Sequence, residues 1–150
     1  MTDQRTVDAF LAGDRPDDVA LFLAESYVSD ARLAEFGMTV DDGTLIVVDG
    51  ERGRGAFQAA TGTGAMEFAG GAMKREGEID RALTGGVCPD EGEDEDGNGD
   101  GDHTIQFLFA FAEAQNEEVG GLYADGPVIH AYAQCACGTA YSDRWLAEEA

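Results

Sequence analysis

The sequence predicts an α+β protein in which N-terminal helices pack on an antiparallel β-sheet formed mainly by the C-terminal half. Two patterns favour this class: apolar residues recur at helical spacing near the N-terminus, and alternating apolar strands follow residue 104. A folded core is expected because 43% of the 150 residues are hydrophobic and a chain of this length can bury a core of ordinary size. We therefore expect a single α+β domain over residues 1–150.

Residues 1–37 are predicted to form three helices. Gly13 can end the first helix, Asp14 is a suitable N-cap for the second, and the third would run from Ser29 to Gly37. The apolar residues at helical spacing are Val7, Phe10 and Leu11 in the first helix and Val19, Phe22, Leu23 and Tyr27 in the second.

A β-hairpin is predicted next. The apolar runs Met38–Val40 and Leu45–Val48 flank the dipeptide Asp42-Gly43, which is typical of a tight hairpin turn. The alternative is a single buried strand over Thr44–Val48, preceded by a loop. Both interpretations place β-structure here.

The segment from Glu51 to Gly86 is rich in alanine, glycine and methionine. Its glycines interrupt any long helix, so one or two short helices are expected, with a further helix over Glu78–Leu83. We attribute the glycines to close packing of the backbone.

The segment from Pro89 to Asp102 consists almost wholly of aspartate, glutamate and glycine. Such a composition cannot bury apolar surface, which predicts a solvated, flexible acidic loop. Asp94, Asp96 and Asn98 match the first ligand positions of a calcium loop, but Ile105 stands where a bidentate glutamate is required. A solvated linker is therefore the preferred interpretation.

Three C-terminal strands are predicted. In Ile105–Ala114, one aromatic face alternates with a face of smaller residues, so the aromatic face should be core and the opposite face can pack a helix. Val128–Cys135 should form a second strand, and Tyr141–Leu146 a third that pairs with it across Gly138. Short connections between consecutive strands imply an antiparallel meander.

The charge is strongly negative. The formal net charge is -22, from 31 acidic and 9 basic residues, and Lys74 is the one lysine among the basic residues. Carboxylates spread along the whole chain repel one another in dilute buffer, whereas concentrated salt screens them. This predicts a halophilic protein. A cytoplasmic location is expected because the segment from Met1 to Arg15 is acidic and lacks the charged-then-apolar order of a signal peptide. The charge sign argues against nucleic-acid binding, and no apolar run approaches the ~20 residues of a membrane span.

One candidate metal or thiol site is present. Cys88, Cys135 and Cys137, with His130, would supply the Cys₃His ligand set of a zinc site. Cys135 and Cys137 would lie on the same side of a strand, whereas His130 would lie on the opposite side unless a bulge intervenes. The alternatives are three reduced, partly buried thiols, or a redox pair of Cys88 with Cys135 or Cys137.

The Cys-Ala-Cys-Gly run at 135–138, together with the acidic loop, resembles an uncharacterised protein family restricted to haloarchaea. The resemblance extends chiefly over Asp14–Gly50 and Thr104–Trp145. It implies a salt-loving host and carries no assigned activity.

Two functions of different class follow. The favoured one is a non-enzymatic binding or accessory protein with a protein partner or a second copy of itself, because no serine stands in a G-x-S-x-G elbow and His103 and His130 are the two histidines. The alternative is a zinc-binding or thiol-redox protein that uses the three cysteines and His130.

Overall fold

The computed structural model describes residues 4–13, 17–25, 27, 37–40, 43–80, 83, 86–87, 105–113, 126–135 and 138–147. These ranges contain three helices and eight strands. The helices are α1 (Gln4–Leu11), α2 (Gly50–Thr61) and α3 (Ala65–Ala72). The strands are β1 (Asp18–Ala24), β2 (Met38–Val40), β3 (Gly43–Asp49), β4 (Glu78–Ile79), β5 (Gly86–Val87), β6 (Ile105–Glu113), β7 (Val128–Cys135) and β8 (Ala140–Leu146).

Six strands form one antiparallel sheet in the order β2-β3-β1-β6-β7-β8, and β4 pairs with β5 separately. The N-terminal half supplies β1 to β3, while the two longest strands, β6 and β7, come from the C-terminal half. The predicted α+β class and the predicted C-terminal meander are both confirmed, since β7 pairs with β6 on one side and with β8 on the other.

Helices cover both faces of the sheet. On one face, Val7 and Phe10 of α1 share a buried cluster with the smaller side chains of β6, such as Ala110. On the other face, α2 and α3 pack on the aromatic side of β6, where Phe57 meets Phe107 and Phe109 edge-on with ring centroids 5.3 and 5.4 Å apart. The sheet is therefore the middle layer, and its central strands are buried on both sides.

The predicted second helix is wrong, because its apolar residues belong to strand β1. This strand lies between β3 and β6, and its side chains are buried on both faces of the sheet. The sequence of such a central strand is a continuous apolar run. Because every position is apolar, the run fits helical spacing as well as strand alternation, and periodicity alone does not identify it. The predicted helix from Ser29 lies almost wholly outside the described residues.

The hairpin prediction is confirmed by the pairing of β2 with β3. Val40 pairs with Gly43, so Gly43 belongs to strand β3 and not to the turn that the Asp-Gly pair predicted. Two short helices follow in the glycine-rich segment, as expected. The helix predicted over Glu78–Leu83 is wrong, because Glu78 and Ile79 pair with β5.

Two glycines have clear structural reasons. A Cβ atom on Gly53 would overlap the side chain of Val19, so this glycine lets α2 lie close against β1. Gly62 ends α2 in the left-handed conformation, with φ 77°, and its N–H donates to the Gln58 carbonyl. Close packing thus explains Gly53, whereas a Cβ on Gly55, Gly70 or Gly71 would meet open space.

A β-bulge in β6 changes one predicted side-chain direction. The register shifts between Ile105 and Phe107, so Ile105 joins the cluster on the α1 face while Phe107 remains on the α2 face. Strict alternation would have put both residues on one side. The remaining alternation of β6 agrees with the sequence prediction.

Candidate functional site

An open groove of about 640 Å³ lies between α3 and the sheet, over strands β6, β7 and β8. Helix α2 covers the centre of the sheet, but α3 is short, so the outer part of this face remains accessible to solvent. The volume is within the ~300–1,000 Å³ that small-molecule sites usually occupy.

Three consecutive strands, β6, β7 and β8, build the floor of the groove. Phe111 pairs with His130, and His130 pairs with Arg144, which makes one row across β6, β7 and β8. Tyr132 and Ser142 form the next row on the same face. Side chains of paired residues stand next to each other on one face of a sheet, so the antiparallel register itself brings these groups together.

His130 is held in place by two neighbours. Its Nε2 atom lies 3.0 Å from Oε2 of Glu113, and its ring stacks on Phe111 with centroids 5.0 Å apart and an interplanar angle of 22°. The histidine side chain is only 15% exposed, whereas Glu113 is 49% exposed. The imidazole is thus part of the packed floor, with a carboxylate at the solvent edge.

A row of nearly parallel rings continues from this pair. Phe111 also stacks with Tyr132, with centroids 6.0 Å apart and an interplanar angle of 26°. All three rings line the groove. Tyr132 itself is 4% exposed and packs in the cluster beneath α2 and α3.

Helix α3 forms the wall of the groove. Met66 and Met73, seven residues apart on this helix and its C-terminal cap, both line the groove. They are 61% and 64% exposed, and among the described residues they are the two large hydrophobic side chains that stand out in solvent. Gly70 lies between them in the lining, where a side chain would project into open space.

The rim is made by the segment after α3, which pairs with the outer edge of β8. The backbone N–H of Gly77 donates to the Ser142 carbonyl, and the Ser142 N–H donates to the Arg75 carbonyl, both at 3.0 Å. The Ser142 hydroxyl also donates to the Arg75 carbonyl at 3.1 Å. These bonds hold Glu76 and Gly77 against the end of the groove.

Charge in the groove is predominantly negative. Glu76 and Glu113 line it together with one arginine, Arg144. Asp143 lies between Ser142 and Arg144 on β8, so its carboxylate is on the opposite, α1 face of the sheet. There it accepts hydrogen bonds from the backbone N–H groups of Ile79, at 3.1 Å, and Arg144, at 2.8 Å.

A second recess of about 220 Å³ adjoins the groove, because Met66 and Phe111 line both. Its other end is marked by Asp17 and Arg54. The two spaces together run along the sheet from the start of β1 to β8, with apolar side chains in the middle and charged side chains towards each end.

The residues predicted as a zinc or thiol site are only partly described. Cys135 is fully buried in the cluster on the α1 face, whereas His130 lies on the groove face of the same strand. The structure therefore does not bring Cys135 and His130 together, as the odd spacing of five residues implies for a regular strand. Cys88 and Cys137 lie outside the described residues, and within those described no group of three metal-ligating side chains occurs.

The groove was not predicted from the sequence. The available signal was the pair Met66 and Met73, whose spacing of seven residues places them on one side of a helix. Nothing in the local pattern shows that this side faces Phe111 and Tyr132, because those residues follow a long connection.

Fold and site together define an α+β protein with a six-stranded antiparallel sheet, covered on both faces, and an open aromatic groove beneath a short helix. The chain belongs to the family of unknown function DUF5807, which matches residues 37–148. The matched region contains every residue of the groove described above. No curated protein and no solved structure matches the chain significantly. None of the helices in the described ranges is long and apolar enough to cross a membrane.

Proposed function

We propose that this protein is a non-enzymatic binding protein, and that the groove between α3 and strands β6 to β8 holds its ligand. The observation that carries the proposal is the pair of exposed methionines beside an aromatic floor. Met66 and Met73 leave apolar surface in water next to Phe111, and exposed apolar surface that borders a concave site is typical of binding. Flexible thioether side chains adapt well to a bound apolar group.

The polar groups of the groove favour binding over catalysis. His130 contacts Glu113 and stacks on Phe111, and the Ser142 hydroxyl donates to a backbone carbonyl of the rim. A general base or a nucleophile must reach a substrate atom directly, whereas these groups are engaged in holding the walls of the groove together.

Methionine methyl NMR tests the proposal directly. The chain has four methionines, so protein labelled with methyl-¹³C methionine gives a simple spectrum in which Met66 and Met73 report on the groove. We expect small apolar compounds from a fragment collection to shift both signals. Met38, on edge strand β2 at the other end of the sheet, is the internal control and should not move.

Two neighbouring glycines of α3 provide matched variants. Gly70 lines the groove and Gly71 does not, yet both are exposed and a side chain on either would meet open space. Gly70→Leu should fill the groove and abolish the shifts caused by fragments, while Gly71→Leu should leave them unchanged. Both variants should keep or raise the melting temperature, because leucine is the better helix former. Equal binding by both variants, or no fragment binding to the parent protein, would contradict the proposal.

We also infer that the protein works in a salt-rich cytoplasm. The net charge of -22 disfavours the compact state in dilute buffer, and molar salt reduces the screening length to about 3 Å. The near absence of lysine supports this inference, because binding to one basic partner would acidify one face rather than remove lysine from the whole surface. A titration of the melting temperature with potassium chloride tests it, and stability is expected to rise with salt.

A further inference from the structure

We propose that the ligand of this groove is a small organic cation with an extended apolar stem. The inference rests on the proposed binding function and adds the chemistry of the ligand. It follows from the order in which charged and apolar groups are placed along the groove and the adjoining recess.

The apolar stem is matched by the middle of the groove. Met66 and Phe111 line both the larger groove and the smaller recess, so one continuous apolar strip connects them. Met73 and Ala69 extend this strip along α3. An alkyl chain lying on such side chains would be removed from water at a gain of about 0.8 kcal/mol per fully buried methylene group.

The positive charge is matched by the carboxylates beside the strip. The side chains that face the larger groove include two carboxylates, Glu76 and Glu113, and one guanidinium group, Arg144. The larger groove therefore has more carboxylates than guanidinium groups, whereas the recess has Asp17 with Arg54. A cationic head group would be attracted to the end of the groove that holds Glu76 and Glu113, whereas a carboxylate or phosphate would be repelled there and by the net charge of the whole chain.

The size of the site favours a small molecule over a macromolecule. A groove of about 640 Å³ with a recess of about 220 Å³ agrees with sites that enclose ligands of drug-like size. The two exposed methionines flank this one groove and do not extend into a wider apolar patch among the described residues.

Three probes with the same alkyl chain but different head groups separate the contributions of head-group charge and alkyl chain to binding. Octylamine, octanol and octanoate carry positive, neutral and negative head groups on one alkyl chain. Binding is followed through the Met66 and Met73 methyl signals in about 1 M KCl, where the screening length of about 3 Å suppresses unspecific attraction between a cation and an acidic protein. We expect octylamine to bind most tightly, octanol next, and octanoate about tenfold more weakly than octylamine.

Paired variants then locate the charge effect. Glu76→Gln with Glu113→Gln should weaken octylamine about threefold to tenfold and leave octanol unchanged. The control is Glu51→Gln with Glu67→Gln, which removes the same charge at two exposed positions that line neither space. The control should bind octylamine as the parent protein does.

The outcomes separate the two proposals. Equal affinity for all three probes, or tighter binding of octanoate, would overturn the cationic ligand and leave the groove as a binding site. Binding of none of the probes, together with failure of the fragment screen, would overturn the binding function itself. A lysine-rich amphipathic peptide that moved the same two methionines at lower concentration than octylamine would overturn the small molecule in favour of a protein partner.

Discussion

Nε2 of His130 and Oε2 of Glu113 lie 3.0 Å apart across neighbouring strands β7 and β6. Both residues line the groove. Glu113 contacts the imidazole at Nε2, and the ring of Phe111 stacks on it, so the position of the imidazole is defined by two neighbours. The contact with Glu113 is also one between residues 17 positions apart in the chain, which makes it a direct report on the pairing of β6 with β7.

A double-mutant cycle measures this contact. Glu113→Gln, His130→Gln and the double variant should show a coupling free energy of about 0.2–1 kcal/mol in urea unfolding, the range found for partly exposed pairs. The value is small because Glu113 is half exposed and water competes for its carboxylate. Additive effects of the two substitutions would mean that the side chains do not interact in solution.

The close approach of α2 to β1 predicts opposite effects of two alanine substitutions. Gly53→Ala places a methyl group where the stiff side chain of Val19 already lies, so it should lower the free energy of unfolding by about 1–3 kcal/mol. Gly55→Ala, on the same helix but facing open space, should raise it by about 0.5–1 kcal/mol. Chemical denaturation of both variants gives the comparison, and a stabilising Gly53→Ala would show that α2 does not pack as described.

Stability should rise with potassium chloride. At about 0.01 M salt the screening length is about 30 Å, so carboxylates repel across the whole molecule, and at about 1 M it is about 3 Å. The melting temperature should therefore increase steeply over this range. A variant with four exposed glutamates replaced by glutamine should depend less on salt; the positions are Glu51, Glu67, Glu76 and Glu78. A parent protein with the same melting temperature in dilute buffer and in molar salt would refute the halophilic inference.

The position of Cys135 allows a test of the zinc hypothesis, which stays a prediction for Cys88 and Cys137. Ligands of one zinc ion lie within about 2.3 Å of it, and Cys135 and His130 face opposite sides of β7. If the protein binds zinc, His130→Gln should retain the same zinc content as the parent by elemental analysis. Stoichiometric loss of zinc in this variant would show that the histidine is a ligand after all.

The burial of Cys135 predicts that its thiol is unreactive in the folded protein. Cys135 is fully buried, and alkylating reagents need an accessible thiolate. Tandem mass spectrometry of chymotryptic peptides, cut after Tyr132 and Tyr141, should find Cys135 unmodified by iodoacetamide in the folded protein and modified in urea. Rapid labelling of Cys135 under native conditions would contradict its burial.

The elements predicted correctly are those whose hydrophobic pattern fits only one type of secondary structure. Strand β6 alternates aromatic and small residues, and this two-residue period has no helical counterpart. Strand β1 is apolar throughout because both of its faces are covered. Hydrophobic periodicity therefore could not distinguish a strand from a helix in this segment. The bulge that turns Ile105 to the other face depends on its pairing with Cys135, which a local pattern does not contain.

The sequence alone determined the charge of the protein and the C-terminal strands. It also determined that His130 and Cys135 lie on opposite faces of one strand. Each of these results depends on composition or on the alternation of side chains along a single strand. Only the tertiary structure decided that β1 is a central strand and that Met66 faces Phe111 across a groove. The physical reason is that strand register and helix packing join segments far apart in the chain, and hydrophobic periodicity describes one segment at a time.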